Sequence, residues 1–261
     1  MIIAYFIYDK RALIACSMTC YLWYIVAVPH LHYSLTTEDG CYSWDRMRYE
    51  WPTPLQKSYD LGLLPLVKRL QIRLGLWRNI KFTPEWIDRR TLRYFTALTN
   101  LQELGIDNLQ LSRFMPNIQQ CFGHLSPTLR FLALGEPTGS CRQILYFIGI
   151  FPNLQDLKFH RSLPTDGPES TADAALVPLS VPPLRGRLTL AHFAGEGLVR
   201  DMITYFGGLR FRSMDLFEVG CARLLLYECR KTLETLRLYP NDPYGEEFLG
   251  RREEDTQVRD L

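Results

Sequence analysis

An apolar-x-x-Leu-x-apolar pattern recurs seven times along the 261 residues, in strict or slightly altered form. The copies are Val67-x-x-Leu70-x-Ile72, Leu101-x-x-Leu104-x-Ile106, Leu129-x-x-Leu132-x-Leu134 and Leu154-x-x-Leu157-x-Phe159, then Leu188-x-Leu190 with a stretched lead-in from Leu184, Phe211-x-x-Met214-x-Leu216 and Leu233-x-x-Leu236-x-Leu238. The triplets begin at 70, 104, 132, 157, 188, 214 and 236, so successive intervals are 34, 28, 25, 31, 26 and 22 residues. A strand sends alternate side chains to opposite faces, so each triplet aims two apolar groups into one core. A single such unit cannot bury its apolar face, whereas stacked neighbours can. Leucine-rich chains produce L-x-L by chance, but seven copies with the matching upstream apolar residue are hard to obtain that way.

The residues between triplets must return the chain to the starting edge, and they carry helical patterns. Thr83-Pro84-Glu85 places a hydroxyl cap before a proline at the first helical position, followed by Trp86, Leu92, Phe95 and Leu98 at helix-like spacing. A second helix is expected over 141–151 after Ser140, a third over 197–206 ending at a left-handed cap on Gly207-Gly208, and a fourth over 221–230. Self-similarity at this period resembles leucine-rich repeats, each a strand plus a helical return. The resemblance implies an α/β fold, an irregular leucine-rich-repeat solenoid of about seven strand–helix repeats, and a binding surface rather than a catalytic pocket. The asparagine usual three places after the L-x-L is absent, with Leu109 and Pro137 standing there, and repeat length varies. An irregular arc is therefore expected.

Recognition would use the strand positions that alternate with the core leucines on the concave face. These are Arg69, Gln71 and Arg73; Glu103, Gly105 and Asp107; Asp156, Lys158 and His160; Asp215 and Phe217; Arg237 and Tyr239. Each is expected to face solvent, and singly each reads as an ordinary strand residue. The target protein is not specified by any motif.

Thirty basic and 28 acidic side chains give +2, so no global bias toward nucleic acid or membranes exists. The stretch Lys68–Arg93 holds eight basic residues against Glu85 and Asp88. It reads as the solvated face of one repeat, with an acidic partner as the lesser alternative, because no nucleic-acid motif accompanies it. Seven scattered cysteines, an odd number without Cys-x-x-Cys, argue for a reducing compartment, and none of the six asparagines starts a glycosylation sequon. An intracellular location, cytoplasmic or nuclear, is expected.

Residues 163–183 are proline-rich and read as a loop insertion between the fourth and fifth triplets, while 241–261 read as a polar tail. The expected organisation is a helical segment over 1–40, the repeat array over 41–240, and the tail.

The helical segment contains Leu13-x-x-Cys16-Ser17-x-x-Cys20-x-x-Trp23 at helical spacing. This resembles the second half of an F-box, and Asp9-Lys10-Arg11-Ala12-Leu13 looks like the inter-helix turn and helix start of F-box-like proteins from mushroom-forming fungi. Stretches such as Pro183-Leu184-Arg185-Gly186-Arg187-Leu188 and Glu234-Thr235-Leu236-Arg237-Leu238-Tyr239-Pro240 are similar to the repeat region of those proteins. The family's opening Leu-Pro, Glu and amphipathic helix are missing, so the segment looks like an F-box without its front. The resemblance implies docking on a Skp-type adaptor of cullin–RING ubiquitin ligases through Leu13, Cys16, Ser17, Cys20 and Trp23, most of which would hold the small bundle together. The alternatives are a repeat scaffold with no ubiquitin role, or a membrane-anchored repeat protein. The last arises because Ala12 to Val28 is a 17-residue run without a charge. A spanning helix wants about 20 residues, and a bundle helix is the expected outcome.

Catalytic signatures are missing: there is no phosphate-cradling Gly-x-x-x-x-Gly-Lys, no Gly-x-Ser-x-Gly and no His-Glu-x-x-His. His30-x-His32 with Cys41 matches no standard zinc spacing and reads instead as a strand start. No enzyme activity, cofactor, metal, nucleic acid or membrane partner is expected.

Overall fold

The computed structural model describes residues 9–38, 53–73, 89–109, 111, 118–160, 182–190, 196–217 and 222–239. Among the described residues eight parallel strands form one sheet, each paired only with its neighbours in chain order. They are β1 (Ser34–Glu38), β2 (Arg69–Arg73), β3 (Glu103–Asp107), β4 (Phe131–Gly135), β5 (Asp156–His160), β6 (Leu184–Leu190), β7 (Leu209–Leu216) and β8 (Thr235–Leu238). The seven triplets fall on β2 to β8. The first triplet residues align as Leu70, Leu104, Leu132, Leu157, Leu188, Met214 and Leu236, and the last as Ile72, Ile106, Leu134, Phe159, Leu190, Leu216 and Leu238.

The repetition extends to the backbone. The carbonyl before each of β1 to β4 accepts two successive N–H groups of the next repeat. Tyr33 O accepts from Lys68 and Arg69, Lys68 O from Gln102 and Glu103, Gln102 O from Arg130 and Phe131, and Arg130 O from Gln155 and Asp156, all at 2.8–3.0 Å. Two side chains repeat as well. Asn100 Nδ2 donates to the Pro65 carbonyl at 2.8 Å, and Asn153 Nδ2 to the Pro127 carbonyl at 3.4 Å. Both asparagines open the same string, Asn-Leu-Gln-acid-Leu. After the strands the chain turns through left-handed residues at matching positions, Asn108 (φ 61°) and Glu136 (φ 45°).

β1 carries no apolar L-x-L. Leu35 pairs with Leu70, but Thr37 stands where Ile72 has its partner, so the pattern does not mark this strand. The sheet consequently starts at Ser34, ahead of residue 41. His30 closes a helix and His32 is its C-cap, two residues short of β1 rather than inside a strand. Cys41, the 163–181 part of the insertion and the 241–261 tail lie outside the described residues, as does the Thr83-Pro84-Glu85 cap.

The returns are helical where expected. Helix α1 is Lys10–Thr19, α2 Tyr21–Leu31, α3 Thr53–Asp60, α4 Arg89–Thr96, α5 Ile118–Phe122, α6 Cys141–Gly149, α7 Glu196–Tyr205 and α8 Ala222–Cys229. Ser140 caps α6 by accepting from the Gln143 N–H at 3.2 Å. Helix α7 ends at Gly207 (φ 63°), with the Gly208 N–H returning to the Ile203 carbonyl at 2.8 Å. Helices touch along the row, α3 with α4, α4 with α5, α6 with α7 and α7 with α8. A line of phenylalanines links that row: Phe95 to Phe122 at 5.3 Å, Phe122 to Phe147 at 5.4 Å and Phe147 to Phe151 at 5.4 Å between ring centroids. Strand leucines and helix side chains from α3 to α8 form one continuous core. Each leucine buried there contributes about 1.5–3 kcal/mol.

The Ala12–Val28 run is not one helix. Cys20 is fully extended (φ −162°, ψ 167°) and separates α1 from α2. Asp9 starts α1, its carboxylate accepting from the Arg11 and Ala12 N–H groups at 2.9 and 3.0 Å. Leu13 and Ala27 make a second small core, with Cys16, Trp23 and Leu31 packed on it. Among the described residues no helix is long and apolar enough to cross a membrane.

Candidate recognition face

The sheet face opposite the core is organised in three rows by the parallel register. The first row runs Arg69, Glu103, Phe131, Asp156, Arg187, Ser213 and Thr235. The second runs Gln71, Gly105, Ala133, Lys158, Thr189, Asp215 and Arg237. The third holds Arg73, Asp107, Gly135 and His160, and beyond the last two strands Phe217 and Tyr239, whose rings stack at 4.5 Å and 14°. The sequence-selected positions thus lie on one surface, as the strand alternation requires.

The β2–β3 part of this surface is neutralised. Arg69 Nε donates to Glu103 Oε2 at 2.6 Å, Tyr33 Oη donates to Glu103 Oε1 at 3.3 Å, Gln71 Nε2 donates to Asp107 Oδ2 at 3.0 Å, and Arg73 Nε lies 3.9 Å from the same oxygen. Gly105 and Gly135 make this possible, because the Gln71 carboxamide and the Asp107 carboxylate lie where β-carbons would project from those glycines. Arg93, at the end of the basic stretch, covers the rings of Tyr59 and Tyr94 at 5.2 and 5.0 Å.

The middle of the face departs from the expected solvent exposure. Ala133, Lys158, Thr189 and Asp215 are all buried, and Asp156 and His160 are half-buried. Strands about 4.8 Å apart let long side chains on one strand cover short ones on the next. Arg187, not among the sequence-selected positions, reaches across to the next strand, its Nε and Nη2 both donating to Asp215 Oδ2. Asp215 Oδ1 and Asp156 Oδ1 are buried with no hydrogen-bond partner. Burial pushes the Asp156 carboxyl up to about 6, with the Arg187 and Lys158 charges opposing, and pushes the Lys158 ammonium down to about 8.

The helical pair carries the second set of selected residues. Leu13 is sealed, and Cys16 and Trp23 pack against it. Ser17 Oγ donates to the Ile14 carbonyl at 2.8 Å, and Cys20 sits exposed at the helix break. Turned away from that core are Ile14, Met18, Tyr21, Leu22 and Ile25, between 47% and 81% exposed. Among the described residues no three side chains of metal-binding type converge. Sequence reasoning passed over β1, Arg187 and this exposed apolar face. The first lacks its second apolar residue, while the other two depend on contacts between elements. Comparison with known protein families and with characterised proteins finds no match to this chain.

Proposed function

We propose that the chain is an intracellular substrate-recognition protein, an F-box-like adaptor of a cullin–RING ubiquitin ligase whose sheet is a leucine-rich-repeat solenoid. The observation that carries the repeat reading is the unbroken register of the seven triplets on strands paired strictly in chain order. Such stacking yields a continuous outer face of strand residues, suited to binding an extended partner surface. The observation favouring a docking role for the helical pair is its exposed apolar side, with Met18 at 81% and Leu22 at 73%. Exposed apolar groups clustered beside a sealed mini-core mark protein contact surfaces.

Calorimetry against a purified Skp-type adaptor tests the reading, using this chain and a version carrying a Leu-Pro-x-Glu helix upstream. A pair of helices this small gains its core from the helix that completes it, so weak or absent binding is expected for the first and measurable binding for the second. Leu22→Glu, on the exposed side, should abolish the binding without unfolding the pair. If the extended version is folded and still fails to bind, the ligase reading falls and a scaffold with no ubiquitin role replaces it.

A further inference from the structure

The two ends of the sheet treat their cations differently. On β2 and β3 each outer-face arginine is matched by a carboxylate one strand away. Around β5 to β8 the carboxylates are wholly or partly buried or lie beside other arginines. Asp215 is held by Arg187, Glu234 lies 3.9 Å from Arg212, and Asp156 Oδ1 has no accessible surface. Arg185, Arg210, Arg237 and Lys158 have no ion pair among the described residues.

Arg185 and Arg210 are register partners on adjacent strands, both exposed. Leu184, Leu209 and Phe211 point into the core, so the two guanidinium groups share the outer face. The register shift after Gly186 leaves Arg212 as the extra residue of β7. Like charges directly across a strand pair are unfavourable, and an anion between them removes the cost. Arg237 lies on the same face beside the buried Asp215, whose Oδ2 Arg187 holds. At about 4.8 Å between strands and 3.3 Å per residue along them, Arg185 and Arg237 lie roughly 16 Å apart on the face. That span suits an extended peptide of about five residues.

Resting on the recognition reading above, we infer that the β5–β8 half of the outer face binds an extended acidic peptide segment. Its carboxylates would sit on the Arg185–Arg210 pair and on Arg237. The class is acidic peptide rather than single-stranded nucleic acid because, among the described residues, the aromatic rings of this half of the face are paired with each other: Phe217 is buried, and its ring is stacked on Tyr239.

Fluorescence anisotropy with the full chain and labelled hexaglutamate tests this at 50 and 300 mM NaCl. Saturable binding is expected at low salt and should weaken severalfold at high salt. R185Q/R210Q should lose about tenfold in affinity. The charge-matched K57Q/R223Q, altered on exposed helix positions of α3 and α8, should stay within about twofold. Thermal melts establish that both variants fold. No binding of hexaglutamate, equal loss in both variants, or tighter R185-dependent binding of an oligothymidylate of equal charge would each overturn the acidic-peptide assignment. If hexaglutamate fails while the version carrying the upstream helix docks on the adaptor, the recognition reading stands with a different ligand class.

Discussion

At Gly186 the backbone carbonyl of Gln155, the residue just before β5, lies where a β-carbon would project, and the φ is 86°. The same carbonyl accepts the Arg187 N–H at 2.8 Å. This close approach coincides with the register shift after which Arg187 reaches Asp215. Gly186→Ala should therefore cost about 2–4 kcal/mol, combining backbone strain with displacement of a carbonyl that cannot rotate away. Denaturant unfolding measures the loss. Gly105→Ala is the contrasting case, because its β-carbon meets only the flexible end of Gln71. It should cost under about 1 kcal/mol.

Leu132→Ala should cost about 2–5 kcal/mol through the cavity left among fully buried neighbours. Ala133 is the sharper test of the outer face, since it is only 4% exposed. Ala133→Leu should destabilise by about 1–3 kcal/mol through overpacking. A leucine accepted there without loss in chemical denaturation would mean that the position is open to solvent.

Asp156 links the face to pH. Its folded carboxyl titrates at about 6, above the roughly 3.9 of an unfolded aspartate. The folded state holds this proton more tightly, so the group favours folding below pH 4 and that contribution is lost as pH rises through 6. Asp156→Asn should thus raise stability at pH 7.5, by about 1 kcal/mol after allowance for solvent screening, and give no gain at pH 4. Because the Asp156 carboxylate favours the charged form of Lys158, part of the gain is offset. Melting temperatures of both proteins at the two pH values check the sign.

Asn100→Ala removes the donor to the Pro65 carbonyl. The expected cost is about 0.5–1.5 kcal/mol, the usual net value of one hydrogen bond. Amide exchange should quicken at the start of β3, where the Gln102 and Glu103 N–H groups bond back to Lys68.

Strand placement was legible in the chain because it depends on local alternation: two apolar residues two positions apart, seven times, can satisfy a buried sheet face in only one phase. Caps were legible for the same local reason at Ser140 and Gly207. β1 was hidden because pairing with β2, rather than its own apolar pattern, holds Leu35 and Thr37 in the sheet. The break at Cys20 lies inside an unbroken apolar run, where composition carries no boundary signal, and packing of Leu13 against Ala27 bends the chain there. What alternation alone assigned to the outer face was direction, not exposure. Whether Asp215 meets water depends on how Arg187 crosses from the next strand, and only the tertiary structure sets that contact, because the two residues are 28 apart in the chain.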